Sequence, residues 1–127
     1  MAGELENVAL QFVEALDAMD VERMMRSAAD DAQGVDEIAR RWIRGRDEIG
    51  AYLGHLMTAV SDVRTEIRDV EERIWGDIGL LTCWLEQDYV LEGSAQHVSA
   101  PTTLVLRREG GDWKLALFHS VPLPEEQ

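Results

Sequence analysis

Four runs with strand-like alternation follow one another from Asp62 to Val121, and only short turn-rich breaks separate them. They are "DVRTEIRDVEERIW", "IGLLTCWLEQDYVL", "HVSAPTTLVLRRE" and "WKLALFHSV", with breaks at "GD", "EGSA" and "GGD". Parallel strands need a crossover of a dozen or more residues, so runs joined this closely can only pair antiparallel. In the first run the alternation passes through Val63, Thr65 and Ile67 and then slips to Val70, Glu72 and Ile74. A slip of one residue predicts a β-bulge near Arg68 and Asp69. The second run is apolar on both faces in its middle, which predicts a central strand or one that faces a partner. Pro101 predicts an edge or a bulge in the third.

Before Ser61 the period is helical. Leu5, Val8, Ala9, Phe12, Leu16 and Met19 form one apolar stripe over residues 5–19. Asp20 reads as an N-cap for a second helix that buries Val21, Met24, Met25 and Ala28 and stops around "DDAQG". The segment "IARRWIRG" reads as a short strand ending at Gly45. A third helix places Ile49, Tyr52, Leu53, Leu56, Met57 and Val60 in one narrow arc, with His55 off it and in solvent. The order predicts an α+β domain over residues 1–127. In it a curved mixed or antiparallel sheet of about six strands wraps around three helices. The third helix is expected in the concavity, with the cone open at one end.

The chain has 127 residues, 46% of them apolar, which is enough for one core. Its formal charge of −13, with one basic cluster at "RRWIRGR", argues against nucleic acid or an anionic membrane as partner. "MAGELENVAL" lacks a basic start and a long apolar run, so a cytoplasmic protein without a signal peptide is expected. Cys83 cannot form an internal disulfide and lies in an apolar run, as a buried structural thiol would. Histidines at 55, 97 and 119 are scattered, and no phosphate loop or nucleophile elbow is present. No metal and no cofactor are expected.

"ALQFVEALDAMDVERMMRSAADDAQ", "WIRGRDEIGAYL" and "TLVLRREGGDWKLALFHS" together resemble the nuclear transport factor 2-like superfamily. The likeness is to its SnoaL-like and ketosteroid-isomerase-like small bacterial members, and it spans nearly the whole chain. It implies the cone fold, and it implies that Asp36 lies at the pocket as a proton-abstracting base. In the isomerase branch such a base works with donors that hold the developing oxyanion. The resemblance puts Phe12 where the tyrosine donor would be, and the late strand offers Thr102 or Thr103. In related association-type domains a histidine placed like His119 sits near an arginine, and the neighbouring position here is Thr103. The Asp-Arg-Asp set of limonene-epoxide-hydrolase-like members has no counterpart.

Alternation puts Trp113, Leu115, Leu117 and His119 on one face of the last strand. If that face is concave, His119 is a pocket contact or a general base. Otherwise it is a packed histidine with one hydrogen bond. Glu86 and Asp88 share parity with Trp84 and form an acid/base pair only if that face is concave; on the convex face they are surface charges or rim contacts to a partner. Asp36 has its own alternative as a turn cap. Trp42, Tyr52, Trp84, Asp88, Thr103 and His119 are the candidate ligand contacts, and ordinary packing is the competing role for the aromatics. Three functions remain open: binding of a small apolar ligand, proton transfer on a keto or polycyclic substrate by an isomerase or cyclase, and a dimerisation module without catalysis. In each, a homodimer through the convex sheet face is expected.

Overall fold

The protein, seen in a computed structural model, is described over residues 3–124; Met1, Ala2 and residues 125–127 of the expected 1–127 domain lie outside the described residues. The elements run α1 (Glu4–Asp17), α2 (Val21–Arg26), β1 (Ala28–Asp36), β2 (Ile43–Arg44), α3 (Arg46–Ala59), β3 (Val60–Trp75), β4 (Ile78–Leu91), β5 (Ser94–Glu109) and β6 (Asp112–Ser120). One six-stranded sheet has the order β2-β1-β6-β5-β4-β3. The expected four-strand antiparallel meander is present, and β1 joins it parallel to β6. The architecture is the expected α+β cone, an open mixed sheet with three helices.

Two stretches differ from the expectation. The second helix does not continue into "DDAQG": it ends at Arg26, and Ala28–Asp36 is strand. Alanines favour helix locally, but parallel pairing with Leu117, Phe118, His119 and Ser120 overrides that preference. Within "IARRWIRG" only Ile43 and Arg44 pair, because the Asp36 carboxylate and carbonyl close a turn over residues 37–40. Asp20 does cap α2, accepting from the Arg23 N–H at 3.1 Å.

α1 lies against the sheet through Leu5, which is fully buried. Gly79 in β4 makes this approach possible, since a Cβ there would sit 2.7 Å from a Leu5 methyl. The Leu5 N–H, unpaired within its helix, donates to Glu72 of β3 at 2.7 Å. This core joins Leu5 and Ala9 to Leu81, Cys83, Leu104, Leu106, Trp113 and Leu115. Burial pushes the Cys83 thiol up to about 11, which keeps it protonated and inert. A second core under α3 contains Leu56, Val60, Val63, Tyr89, Val98 and Ala100.

Bulges set which residues of β3 and β6 face inward. The shift between Arg68 and Glu71 falls where the slip in alternation predicts it, with Asp69 at φ 57°. Another lies between Ser61 and Arg64, with Asp62 at φ 52°. A third is in β6: Leu115 pairs with Leu106 while Leu117 pairs with the adjacent Val105, so Ala116 is the extra residue. Pro101 lies one residue past Thr102, where pairing with β6 stops, so its missing N–H breaks no bond to that strand.

Candidate functional site

The concave face leaves a cavity of about 130 Å³. Phe12 and Leu16 of α1, Met24 and Met25 of α2, Ala32 of β1, Ile49, Leu53 and Leu56 of α3, Leu85, Val98 and Phe118 supply apolar wall. The expected apolar arc of α3 is here, and only Leu56 of that helix is buried. Ile49, Tyr52 and Leu53 stay half-buried because they border empty space rather than packed side chains.

The ionisable groups of the wall sit together, where β1 ends and its turn begins. Asp36 Oδ1 accepts from the backbone N–H groups of Ile38 and Ala39 at 3.0 and 2.8 Å. Tyr52 donates its hydroxyl to the same carboxylate, 3.0 Å from Oδ1 and 2.9 Å from Oδ2. Beside it, Glu37 Oε1 accepts from the Tyr89 hydroxyl at 2.8 Å. Burial raises the Glu37 carboxyl above its usual 4.5, and the Tyr89 hydrogen bond opposes only part of that rise. Burial and the adjacent carboxylates raise both phenols, so Tyr52 and Tyr89 stay protonated donors.

Polar groups elsewhere on the wall, Ser120 and Gln87, are already engaged with neighbours. Thr102 Oγ1 donates to the Ala100 carbonyl at 3.1 Å, which leaves the Ser120 hydroxyl as donor in the 2.9 Å contact between them. Gln87 donates to Thr65 at 3.0 Å. Phe12, at the position where the resemblance would want a phenol, contributes only a ring. The cavity therefore has carboxylates held by neutral donors and lacks a preorganised donor pair for an enolate oxygen.

Sequence expectations divide at the sheet. Asp36 and Tyr52 do meet at the cavity, although Asp36 also has the turn-capping role offered as its alternative. His119 does not reach it. The Ala116 bulge inverts the alternation, so Phe118 and Ser120 look inward and His119 looks outward beside Thr103 and Val35. There its ring centroid lies 6.0 Å from that of Trp42. Trp42 is 41% exposed and absent from the cavity wall. Trp84, Glu86, Asp88 and Thr103 are on the convex face too, because the buried parity of β4 is Leu81, Cys83, Leu85 and Tyr89.

On that outer face Glu86 accepts from Arg68 at 2.8 Å and from Ser99 at 2.9 Å, and Asp88 meets His97 Nδ1 at 2.7 Å. Hydrogen bonds from Ser99 and Arg68 lower the Glu86 carboxyl, and the Asp88 contact raises His97. Glu37, Tyr89 and Gln87 are the groups that sequence reasoning misses. Tyr89 and Gln87 share the parity of Leu85, opposite to Trp84, so the signal is there once the inward face of β4 is known.

Among the described residues, no group of three or more His, Cys, Asp or Glu side chains could hold a metal ion, and no helix is long and apolar enough to cross a membrane. Comparison with known proteins agrees with the architecture. A profile of the SnoaL-like domain matches residues 5–124. A candidate dehydratase of the NTF2-like family from Streptomyces avermitilis superposes with a TM-score of 0.87 at 20% identity, covering 96% of each chain. A candidate aromatic ring hydroxylase from Novosphingobium aromaticivorans gives 0.87 at 15% identity, covering 95% of this chain and 87% of its own. A ketosteroid isomerase-like protein from Erwinia carotovora atroseptica gives 0.80 at 18% identity, covering 94% of each. Likeness at such identities speaks to the fold alone. No curated protein matches the sequence.

Proposed function

The chain belongs to the SnoaL-like domain family, and from that premise we propose that it binds a small, mostly apolar molecule inside its cone. One observation carries this reading: the cavity wall is mostly apolar, its neutral polar groups are Gln33, Gln87 and Ser120, and its ionisable groups Asp36, Glu37 and Tyr52 come together at one place, with Tyr89 holding Glu37. Such a site takes an apolar body into the hollow and holds one polar end. A dry cavity of ~150 Å³ takes a benzene-sized guest. The 130 Å³ here suits one ring in the enclosed part.

Proton transfer is the second reading, and the raised Glu37 carboxyl favours it. A carboxyl raised by partial burial is a better base than a solvated one, and Tyr89 holds it in place. The neighbours described as a candidate dehydratase and a ketosteroid isomerase-like protein fit that chemistry. The missing oxyanion donors weigh against enolate formation, so binding takes precedence. Asp36 is the alternative base, although three neutral donors already occupy its oxygens.

The convex face supports a homodimer. Leu80, Trp84, Val105 and Leu117 are half-buried there in the single chain, with exposed Trp42 at the border. In this reading the cavity and the dimer face lie on opposite sides of one sheet, and neither obstructs the other.

Filling the hollow tests the binding reading. Ala32 is 4% exposed and lines the wall. In Ala32→Phe, a thermal-shift screen with one-ring aromatic compounds should lose every shift that the unaltered protein shows. Shifts that survive the substitution would place the ligand elsewhere.

A further inference from the structure

We propose that the molecule held in the cavity is a one-ring organic amine, with the ring against the apolar wall and its protonated nitrogen between Asp36 and Glu37. This rests on the binding reading and adds the charge of the ligand to it. Two carboxylates line the cavity, and none of its lining residues is Lys, Arg or His. Their close partners are neutral: two phenol hydroxyls and two backbone N–H groups. Hydrogen bonds from neutral donors satisfy lone pairs but leave the net charge in place.

The nearby cations are turned to other tasks. Arg40 is exposed, and its Nε donates to the Glu37 backbone carbonyl at 3.1 Å rather than to either carboxylate. Arg41 pairs with Glu48 at 3.1 Å on the surface. Arg44 donates to Gln33 at 2.9 Å.

The choice of ligand charge follows from these positions. A carboxylate or phosphate on the ligand would enter beside two like charges, offset only in part by the exposed Arg40, whose charge favours the ionised Glu37 less than burial opposes it. A neutral hydroxyl on the ligand could donate one hydrogen bond to the pair but would leave its charge uncompensated. An ammonium group would gain charge-assisted hydrogen bonds, which are about twice as strong as neutral ones. The chain's net charge of −13 draws cations toward the protein as a whole.

Calorimetry with benzylamine, benzyl alcohol and benzoate at neutral pH tests this with one ring and three charges. Benzylamine should bind roughly tenfold or more tighter than benzyl alcohol, and benzoate should not bind. In Glu37→Gln the ratio of amine to alcohol affinity should fall toward one. Added salt should weaken the amine and spare the alcohol in the unaltered protein, which needs no variant to fold. Equal or weaker binding of the amine, or binding of benzoate, would overturn the amine assignment and leave the cavity reading standing. Failure of all three compounds to bind would remove both. Benzylamine binding that persists in Ala32→Phe would also overturn the assignment, since it would show attraction to the acidic surface only.

Discussion

Tyr89 and Glu37 are fifty-two residues apart in the chain, and the phenol donates to the carboxylate at 2.8 Å. The bond ties the second core, which contains Tyr89, to the turn that follows β1. It also fixes a carboxyl whose burial favours the neutral form. A group raised in the folded state stabilises fully below its unfolded value of 4.5, and that contribution is lost as pH rises through the folded value.

Glu37→Gln should therefore flatten the pH dependence of stability just above 4.5. Thermal melts from acid to neutral pH check this. The unaltered protein should lose stability relative to the variant as pH rises through that interval, and parallel curves would show that Glu37 is not held above its usual range.

Asp36 and Tyr52 should separate by mutation. Asp36→Ala removes the acceptor for two backbone N–H groups and leaves the half-buried Tyr52 hydroxyl unpaired. Loss of a cap costs ~0.5–2 kcal/mol and an unsatisfied buried group ~1–3 kcal/mol. Tyr52→Phe removes one donor and leaves the turn closed, so it should cost less. Urea denaturation of both variants measures the order, and a larger loss for Tyr52→Phe would refute the capping role.

Gly79→Ala should destabilise by overpacking, at ~1–3 kcal/mol. The added methyl would sit 2.7 Å from a methyl of the Leu5 side chain, which is fully buried. A melting temperature equal to that of the unaltered protein would mean that α1 can lift off the sheet without cost.

Val105→Glu places a charge at the centre of the convex face, far from the cavity wall. Sizing chromatography at micromolar concentration should show a dimer for the unaltered protein and a monomer for the variant. A monomer in both cases would dispose of the convex-face interface.

Much of the fold is legible in the sequence because tight turns leave antiparallel strands no alternative partner arrangement. The bulge at Asp69 is legible for a related reason, since Ile67 and Val70 both have to face inward. What stays hidden is set by distant contacts. Ala28–Asp36 reads locally as the end of a helix and its stop, and becomes strand because β6 is beside it. The orientation of His119 turns on one extra residue, Ala116, whose apolar neighbours give no alternation to betray it. The same dependence on face explains the site. Asp36 is found through family resemblance and Tyr52 through its helical arc, whereas Glu37 has no periodic context and Tyr89 needs the inward face of β4 to be known.

The most direct measurement is a methyl-resolved NMR titration with benzylamine. Saturable shifts are expected at Ala32, Leu53, Leu56 and Val98, which line the cavity, with Leu80, Val105 and Leu117 on the outer face unmoved. Shifts confined to the outer face, or none at millimolar probe, would contradict the claim that the cone is a binding site.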